Sequence, residues 1–313
     1  MTVREQVKAI YDARGKRAQA LHDGGQKVIG YFCCFVPEEI ITAFDMAPYR
    51  IQGSQSEAID QADAHIETMA CPFARSCFNH ALKGKYDFLD GFVVPHSCDT
   101  LEQLFVIWEH TKPSPFTHFV NVPHMMGPSS DTFYHQELSL FIRALEKWSG
   151  RNMDTEKLKA AIRLSNDRRA LLRELYDLRK ADPPLVSGGE VMETLVAGMG
   201  IPAAEHMELL RGLITEIKAR PAEKKGQRPR ILLWGNELDD AAFIRLIEES
   251  GADVVMDDLC TGTRSFWEDV PETDDPLDGL VTRYLKTHCP RTNMPQAGGG
   301  PGEPLRVYRP LCR

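Results

Sequence analysis

The sequence has no long hydrophobic run, because none of its stretches approaches the ~20 consecutive apolar residues that a membrane-spanning helix needs. It also has no excess of basic residues: 37 Lys and Arg face 45 Asp and Glu, which gives a net charge of −8. An acidic chain of this kind is a poor binder of nucleic acid. Residues 1–25 are charged and amphipathic and contain no apolar signal core. We therefore expect a cytoplasmic protein with neither a membrane nor a nucleic acid as partner.

Several catalytic motifs are missing as well. The chain contains no G-x-S-x-G, H-E-x-x-H or P-loop, so a serine hydrolase, a zincin and a nucleotide hydrolase have no support. The strand-like stretch RILLWG (230–235) has one glycine where a dinucleotide fingerprint needs three, and we expect no NAD or FAD site there. The eight cysteines form no C-x-x-C pair, so the patterns of a zinc ribbon and of a ferredoxin are absent too.

Strand and helix patterns alternate from about residue 27 to residue 148, which is typical of an α/β domain with a mostly parallel sheet. Apolar runs bounded by Gly or Pro predict the strands, and amphipathic stretches predict the helices. The predicted strands are 27–35, 48–53, 87–97 and 117–125, and the predicted helices are 37–46, 56–67, 71–84, 98–110 and 132–148.

The remaining chain predicts a second unit of the same class. Residues 151–218 are almost wholly helical in pattern, 219–229 is a basic, polar linker, and a strand–helix–strand pattern opens at residue 230. The fold class is thus α/β, with two Rossmann-like parallel-sheet units joined by a helical segment. The predicted ranges are an α/β domain at 1–150, the helical segment and linker at 151–228, and a second α/β domain at 229–313.

The last 19 residues are rich in Gly, Pro and Arg and show neither helical nor strand periodicity. The second sheet is therefore predicted to be incomplete. An incomplete sheet exposes an open strand edge and apolar surface, so aggregation is expected.

Two cysteines occupy similar places on this map. Cys71 immediately precedes Pro72, which opens a predicted helix, and Cys98 lies between a predicted buried strand and the next helix. In open α/β sheets, ligands bind at the carboxyl ends of the strands, where helix N-termini point. A helix N-terminus lowers the pKa of a thiol and favours the thiolate, which is the form that binds metal. Cys71 and Cys98 are therefore candidate ligands of one metal or cluster.

The other polar groups are given ordinary roles. Cys77 lies six residues into its helix and is predicted to face the core, as reduced cysteines commonly do. Cys33 and Cys34 end the first predicted strand and should point to opposite faces of it, so at most one can face the site. The adjacent carboxylates Glu38–Glu39 and Asp257–Asp258 are attributed to helix-start and loop charges.

A zinc site is the alternative that the residues leave open. His96 lies two residues before Cys98, so a zinc- or thiol-based small-molecule enzyme would use Cys71, Cys98 and His96. The neighbouring histidines are predicted to be solvent-facing or hydrogen-bonded, and they are His65, His80 and His124.

Five motifs give the chain a family resemblance over about residues 25–294. They are YFCCFVPEEIITAFDMAPYRI, CPFARSCFNHAL, DGFVVPHSCD, VVMDDLCTGTRSFW and YLKTHCPR. In this order they resemble the 2-hydroxyacyl-CoA dehydratase family, which includes the catalytic subunits of benzoyl-CoA reductase. The phrase CCFVPEEII and the GTR stretch are more similar to the reductase branch.

The resemblance implies an oxygen-sensitive catalytic subunit with a [4Fe–4S] cluster. Its reaction would be a low-potential radical reduction of an acyl-CoA thioester, either benzoyl-CoA reductase-like or 2-hydroxyacyl-CoA dehydratase-like. It also implies two protein partners, a paralogous second catalytic subunit and an ATP-dependent iron–sulfur activator protein.

The resemblance further implies three cluster cysteines in each catalytic subunit. Cys71 matches the first and Cys98 the second. His96 and Ser97, beside Cys98 at the strand mouth, are the candidate catalytic residues and are expected to make polar contacts with the acyl-CoA substrate.

The chain departs from the family after residue 294. The segment that carries the family's third cluster cysteine is absent, and neither Cys289 nor Cys312 matches its position. The sequence thus resembles a C-terminally truncated member, in which a cluster with two ligands would be labile. Two alternatives follow: a cluster-deficient, non-catalytic family member, or the zinc/thiol enzyme. Metal analysis separates the three interpretations: iron with sulfide indicates the iron–sulfur subunit, no metal indicates the cluster-deficient member, and zinc indicates the zinc/thiol enzyme.

Overall fold

The structure is a computed structural model that describes residues 1–125, 127–221, 226 and 228–287. The helices are α1 (Val3–Asp12), α2 (Lys16–Asp23), α3 (Glu38–Ala43), α4 (Pro72–Leu82), α5 (Asp99–Thr111), α6 (Pro128–Ser149), α7 (Thr155–Asp177), α8 (Gly188–Gly198), α9 (Ala203–Lys218), α10 (Ala241–Glu249), α11 (Thr263–Phe266) and α12 (Pro276–Val281). The strands are β1 (Val28–Tyr31), β2 (Ala47–Arg50), β3 (Gly91–Pro95), β4 (Phe116–Val120), β5 (Arg230–Trp234) and β6 (Asp253–Asp258). Short 3₁₀ turns occur at Ala62–Ala64 and Leu178–Lys180, and a π-helical turn occurs at Thr282–Thr287.

Two compact units divide the described chain. The four-stranded unit contains residues 15–163 and 270–287, and the two-stranded unit contains residues 1–14 and 164–269. Both sheets are parallel, so the predicted α/β class is confirmed. The domain ranges 1–150, 151–228 and 229–313 stay a prediction.

The four-stranded unit has the strand order β2-β1-β3-β4. The chain leaves β1, passes through α3 to β2, and then returns through α4 to β3 on the other side of β1. The direction in which strands are added therefore reverses between β1 and β3. In doubly wound sheets such a switch point opens a crevice beyond the carboxyl ends of the two strands, where ligands bind.

The two-stranded unit has a helical core packed against β5 and β6. The parallel pairing of these strands is interrupted by a bulge at Ile231 and Leu232. Apolar side chains from α1, α7, α8, α9 and β6 fill the core, among them Val7, Leu175, Leu195, Leu213 and Met256. In the part of the chain that is described, this sheet has two strands. The predicted Gly/Pro/Arg-rich tail, Cys289 and Cys312 lie outside that part.

Two predicted elements differ from the structure: one strand is shorter than predicted, and one predicted helix does not form. The strand predicted at 27–35 ends at Tyr31, because Cys33 has a left-handed backbone with φ 59°. The prediction of a helix at 56–67 is wrong, because this segment is largely irregular and contains one 3₁₀ turn. Its backbone bonds to a side chain instead: Asn79 Oδ1 accepts from the amides of Gln61 and Ala62 at 2.8 and 3.1 Å.

None of the helices in the described ranges combines the length and the hydrophobicity that crossing a membrane requires.

His206 on α9 is buried in the two-stranded unit, with its ring against Gly198 of α8. A Cβ on Gly198 would lie 2.0 Å from His206 Cε1, so only glycine allows this contact. Neither ring nitrogen has a hydrogen bond of normal geometry among the described residues. Burial, followed by the Arg168 charge, lowers the pKa of His206 to about 3.

We expect His206 to make folding pH-dependent. The pKa of His206 is about 3 in the folded chain and about 6.5 in the unfolded chain. The folding stability that depends on a neutral His206 is therefore fully present above pH ~6.5 and is lost as the pH falls toward 3. Between pH 7.5 and 5.0 this loss is about 2 kcal/mol. Urea unfolding at both pH values measures it, and His206→Leu should show a smaller pH difference. An unchanged pH difference in His206→Leu would show that other groups carry the effect.

Candidate functional site

The candidate site lies at the carboxyl edge of the four-stranded sheet, beside the switch point. Three polypeptide segments reach this edge: residues 32–34 after β1, residues 96–98 after β3, and the first turn of α4. The amide of Phe32 donates to the Val93 carbonyl at 3.1 Å, so the ladder between β1 and β3 continues up to the edge. Because α4 runs back toward the start of β3, its N-terminus lies at the same edge.

Cys71 and Cys98 are the N-cap residues of α4 and α5, and both are exposed. Pro72 begins α4 because the first helical turn needs no N–H donor from it. The carbonyls of Cys71 and Cys98 accept from Arg75 N at 3.1 Å and from Glu102 N at 3.2 Å, which closes the first turn of each helix. Cys77 is fully buried in α4, so its predicted core position is confirmed.

The pKa of the Cys98 thiol is raised, not lowered as the sequence predicted. Partial burial is the largest cause and outweighs the amides of Leu101 and Thr100, which favour the thiolate. The neighbouring thiols of Cys33 and Cys71 also raise the pKa of Cys98. Three cysteines thus share one electrostatic environment in which a bound cation would stabilise the thiolate, since metal coordination deprotonates a thiol.

Polar side chains stand beside Cys98 at the end of β3. His96 Nε2 lies 3.4 Å from Glu102 Oε2, and the His96 ring lies 4.4 Å from the ring of His124. His124 Nε2 donates to the His96 carbonyl at 3.1 Å. The amide of Ser97 donates to the Pro95 carbonyl at 2.8 Å, which turns the chain toward Cys98. The loop after β3 is therefore fixed by hydrogen bonds, as binding residues on a loop require.

The zinc alternative is not favoured by this arrangement. A single zinc ion bonds its ligand atoms at about 2.0–2.3 Å, so the ligands must lie close to one another. Within the described residues, Cys71, Cys98 and His96 do not form a group whose ligand atoms all lie within 4.8 Å of one another. An iron–sulfur cluster spans several irons, and its thiolates need not converge on one atom. The donor set, separate thiols on one sheet edge, fits a cluster better than a single ion.

Cys33 and Cys34 do not point to opposite faces of a strand, so that prediction is wrong. Both cysteines lie beyond the end of β1 and are buried, and their Sγ atoms are 4.0 Å apart. The alternation of side chains applies only within a strand. The left-handed backbone of Cys33 turns the chain here and brings the two thiols together.

A buried carboxylate behind this edge was missed in the sequence. Glu39 in α3 is fully buried, and Tyr284 donates its hydroxyl to Glu39 Oε2 at 2.8 Å. Tyr31 donates to Glu38 Oε2 at 3.3 Å, and the Arg50 guanidinium lies 5.6 Å from the Tyr31 ring. Glu38 and Glu39 do lie in the first turn of α3, as the helix-start interpretation predicted, and these tertiary contacts give them a second role. The local sequence carries no signal for the contact, because Tyr284 is 245 residues away.

The second carboxylate pair belongs to a buried network in the two-stranded unit. Asp257 and Asp258 are the last residues of β6 and are buried, so the loop-charge interpretation is wrong. Asp257 accepts from Thr263 N at 2.9 Å and from the Tyr176 hydroxyl, and burial together with the Asp257 charge raises the pKa of Tyr176. Arg264 Nε donates to Asp258 Oδ1 at 2.8 Å.

Comparison with known proteins adds a family model and several relatives. The model described as 2-hydroxyglutaryl-CoA dehydratase, D-component, matches residues 33–300. A benzoyl-CoA reductase subunit from Thauera aromatica is 29% identical over 267 residues, covering 84% of this chain and 69% of that protein. The (R)-phenyllactyl-CoA dehydratase beta subunit of Clostridium sporogenes is 26% identical, covering 88% and 74%. The beta subunit of the (R)-2-hydroxyglutaryl-CoA dehydratase of Acidaminococcus fermentans is 26% identical, covering 84% and 70%.

Proposed function

Because the chain belongs to the 2-hydroxyglutaryl-CoA dehydratase D-component family, we propose that it is a catalytic subunit of an iron–sulfur enzyme that acts on an acyl-CoA thioester. The relatives are named as subunits of dehydratases and of benzoyl-CoA reductase, so the enzyme type predicted from the sequence is confirmed. The reaction is a low-potential radical reduction of the thioester, of the reductase or of the dehydratase type.

The observation that carries this proposal is the placement of Cys71 and Cys98. Two exposed cysteines occupy the N-cap positions of neighbouring helices at the switch-point edge of a parallel sheet. They are the residues that would hold a [4Fe–4S] cluster. When bound, the cluster would supply single electrons at low potential, as iron–sulfur clusters do.

The protein's own groups bind and orient the substrate. The Glu102 carboxylate lies 3.4 Å from His96 Nε2 and places a negative charge beside the imidazole at the mouth of β3, where His96 can donate to a polar group of the thioester. Ser97 follows His96 directly in the chain, on a loop that is fixed by the bond from the Ser97 amide to the Pro95 carbonyl. His124 packs on His96 and limits its rotation. These contacts support substrate positioning as the role of His96 and Ser97.

The names of the relatives support one of the two proposed protein partners. Each of those proteins is named as one subunit of an enzyme, which implies a second, different subunit in each complex. We propose a paralogous catalytic subunit and an ATP-dependent iron–sulfur activator as the partners of this chain.

Iron and sulfide analysis tests the proposal. The chain is purified and reconstituted without oxygen, and iron, acid-labile sulfide and visible absorbance are measured per chain. We expect iron with matching sulfide in the unsubstituted chain and at least a twofold loss of both in Cys71→Ser and in Cys98→Ser, because each removes a thiolate ligand. Cys77→Ala, which changes a buried thiol of the same helix, is the control and should keep its iron.

Each other outcome contradicts the proposal in a distinct way. Zinc without sulfide would support the zinc/thiol enzyme. Absence of metal from the unsubstituted chain would support the cluster-deficient family member. Equal iron in all four proteins would show that Cys71 and Cys98 are not the ligands.

A further inference from the structure

A third thiol reaches the edge where Cys71 and Cys98 lie. Cys33 follows β1 by two residues, and β1 is the direct neighbour of β3, which leads to Cys98. Tyr31 pairs with Val93, and the Phe32 amide donates to the Val93 carbonyl. Because the two strands are parallel and paired up to this point, Cys33 leaves the sheet on the same side as residues 96–98.

Cys33, Cys71 and Cys98 come to this edge from different parts of the chain. The three residues lie on three separate segments of the same compact unit, one after β1, one after β3 and one at the start of α4. Thiols on separate segments can approach a shared group from different sides.

The backbone at Cys33 is unusual for a cysteine. Its φ of 59° lies in the left-handed region, which costs a non-glycine residue free energy and persists where the surroundings impose it. Such conformations cluster at binding and active sites. Here the conformation takes Cys33 out of the strand and sets its side chain next to that of Cys34 at the edge.

We propose that Cys33 supplies a third thiolate to the iron–sulfur group that Cys71 and Cys98 hold. This inference rests on the proposed function. On loading, the Cys33 thiol releases its proton to solvent and its sulfur forms a bond to iron, with no change in oxidation state.

Cys34 provides a matched control for the test. It is adjacent to Cys33 and is buried to the same extent, and its Sγ is 4.0 Å from that of Cys33. After anaerobic reconstitution, we expect Cys33→Ser to lose at least half of its iron and acid-labile sulfide and Cys34→Ser to keep both. Circular dichroism on the same samples shows whether each variant is folded.

The outcomes separate this inference from the proposed function. Full iron in Cys33→Ser, with loss in Cys71→Ser and Cys98→Ser, would overturn the inference and leave the proposed function standing. Loss in Cys34→Ser alone would also overturn it. Full iron in Cys71→Ser and Cys98→Ser would overturn the proposed function and the inference with it.

A measurement on the unsubstituted chain covers the case in which Cys33→Ser does not fold. Iodoacetamide alkylation of each cysteine is followed by mass spectrometry in the apo and the reconstituted protein. We expect loading to slow the alkylation of Cys33, Cys71 and Cys98 at least fivefold and to leave that of Cys77 unchanged. Equal rates at Cys33 before and after loading would refute its role as a ligand.

Discussion

Arg264→Leu is expected to destabilise the two-stranded unit by about 3–5 kcal/mol, which is the usual cost of removing one partner from a buried ion pair. Arg264 and Asp258 are 2% and 3% exposed, and Nε donates to Oδ1 at 2.8 Å. Burial alone lowers the pKa of Arg264, but the hydrogen bond to Asp258 and the charges of Cys260 and Asp258 raise it overall. The leucine leaves the Asp258 carboxylate in a desolvated position without this counter-ion. Urea unfolding measures the loss.

An exposed ion pair of the same unit is the control. Lys218 bonds Glu174 at 2.7 Å with both side chains about half exposed, so Lys218→Leu should cost at most about 1 kcal/mol. Combining Arg264→Leu with Asp258→Leu should recover much of the loss, because two apolar residues often replace a buried pair without cost. If Arg264→Leu costs no more than Lys218→Leu, the pair is not the stabilising element that its burial indicates.

The second large effect is expected in the four-stranded unit, from Gly91→Ala. Gly91 begins β3 and pairs with Phe116 of β4. A Cβ on Gly91 would lie 2.4 Å from the Phe116 carbonyl oxygen and 2.7 Å from its Cβ, so the strands would have to separate. Overpacking against backbone is not relieved by rotating a side chain, and a cost of at least about 3 kcal/mol is expected in urea unfolding.

Gly127→Ala is the matched control, because no atom of the described residues lies within 4 Å of the added methyl group and the Gly127 backbone is extended. Gly127 is the N-cap residue of α6, where alanine is less favourable than glycine, so the effect should be about 1 kcal/mol at most. Since β3 also positions Cys98, Gly91→Ala should change the rate at which Cys98 reacts with iodoacetamide, whereas Gly127→Ala should not. If Gly91→Ala is as stable as the unsubstituted chain, β3 and β4 pair less closely than the register indicates.

Local signals account for what the sequence predicted correctly. Alternation of apolar runs and amphipathic stretches located the strands of both sheets, and Pro72 marked the start of α4 next to Cys71. The carboxyl ends of parallel strands share one edge of the sheet. Once the strands were assigned, the position of Cys98 directly after a strand therefore predicted that it lies at this edge.

Tertiary contacts account for what the sequence did not predict. The strand order, and hence the switch point beside Cys33, depends on which side of β1 the chain returns to. The segment 56–67 has a helical pattern, but Asn79 of α4 takes its backbone hydrogen bonds. Partial burial of Cys98 reversed the pKa shift that its helix position predicted. These effects arise between residues that are far apart in the sequence, so a short stretch of sequence does not reveal them.

Both compact units are discontinuous in the chain, and this affects how they form during synthesis. The four-stranded unit begins at residue 15. Its buried Glu39 bonds Tyr284, which is synthesised 245 residues after Glu39. At a translation rate of about 5–20 residues per second, the delay is roughly 12–50 s. Throughout that interval the Glu39 carboxylate lacks the Tyr284 hydroxyl, so α3 and the cysteine edge beside it cannot reach their final packing. The nascent chain therefore passes through a long period with an unfinished N-terminal unit, during which a chaperone has access to it.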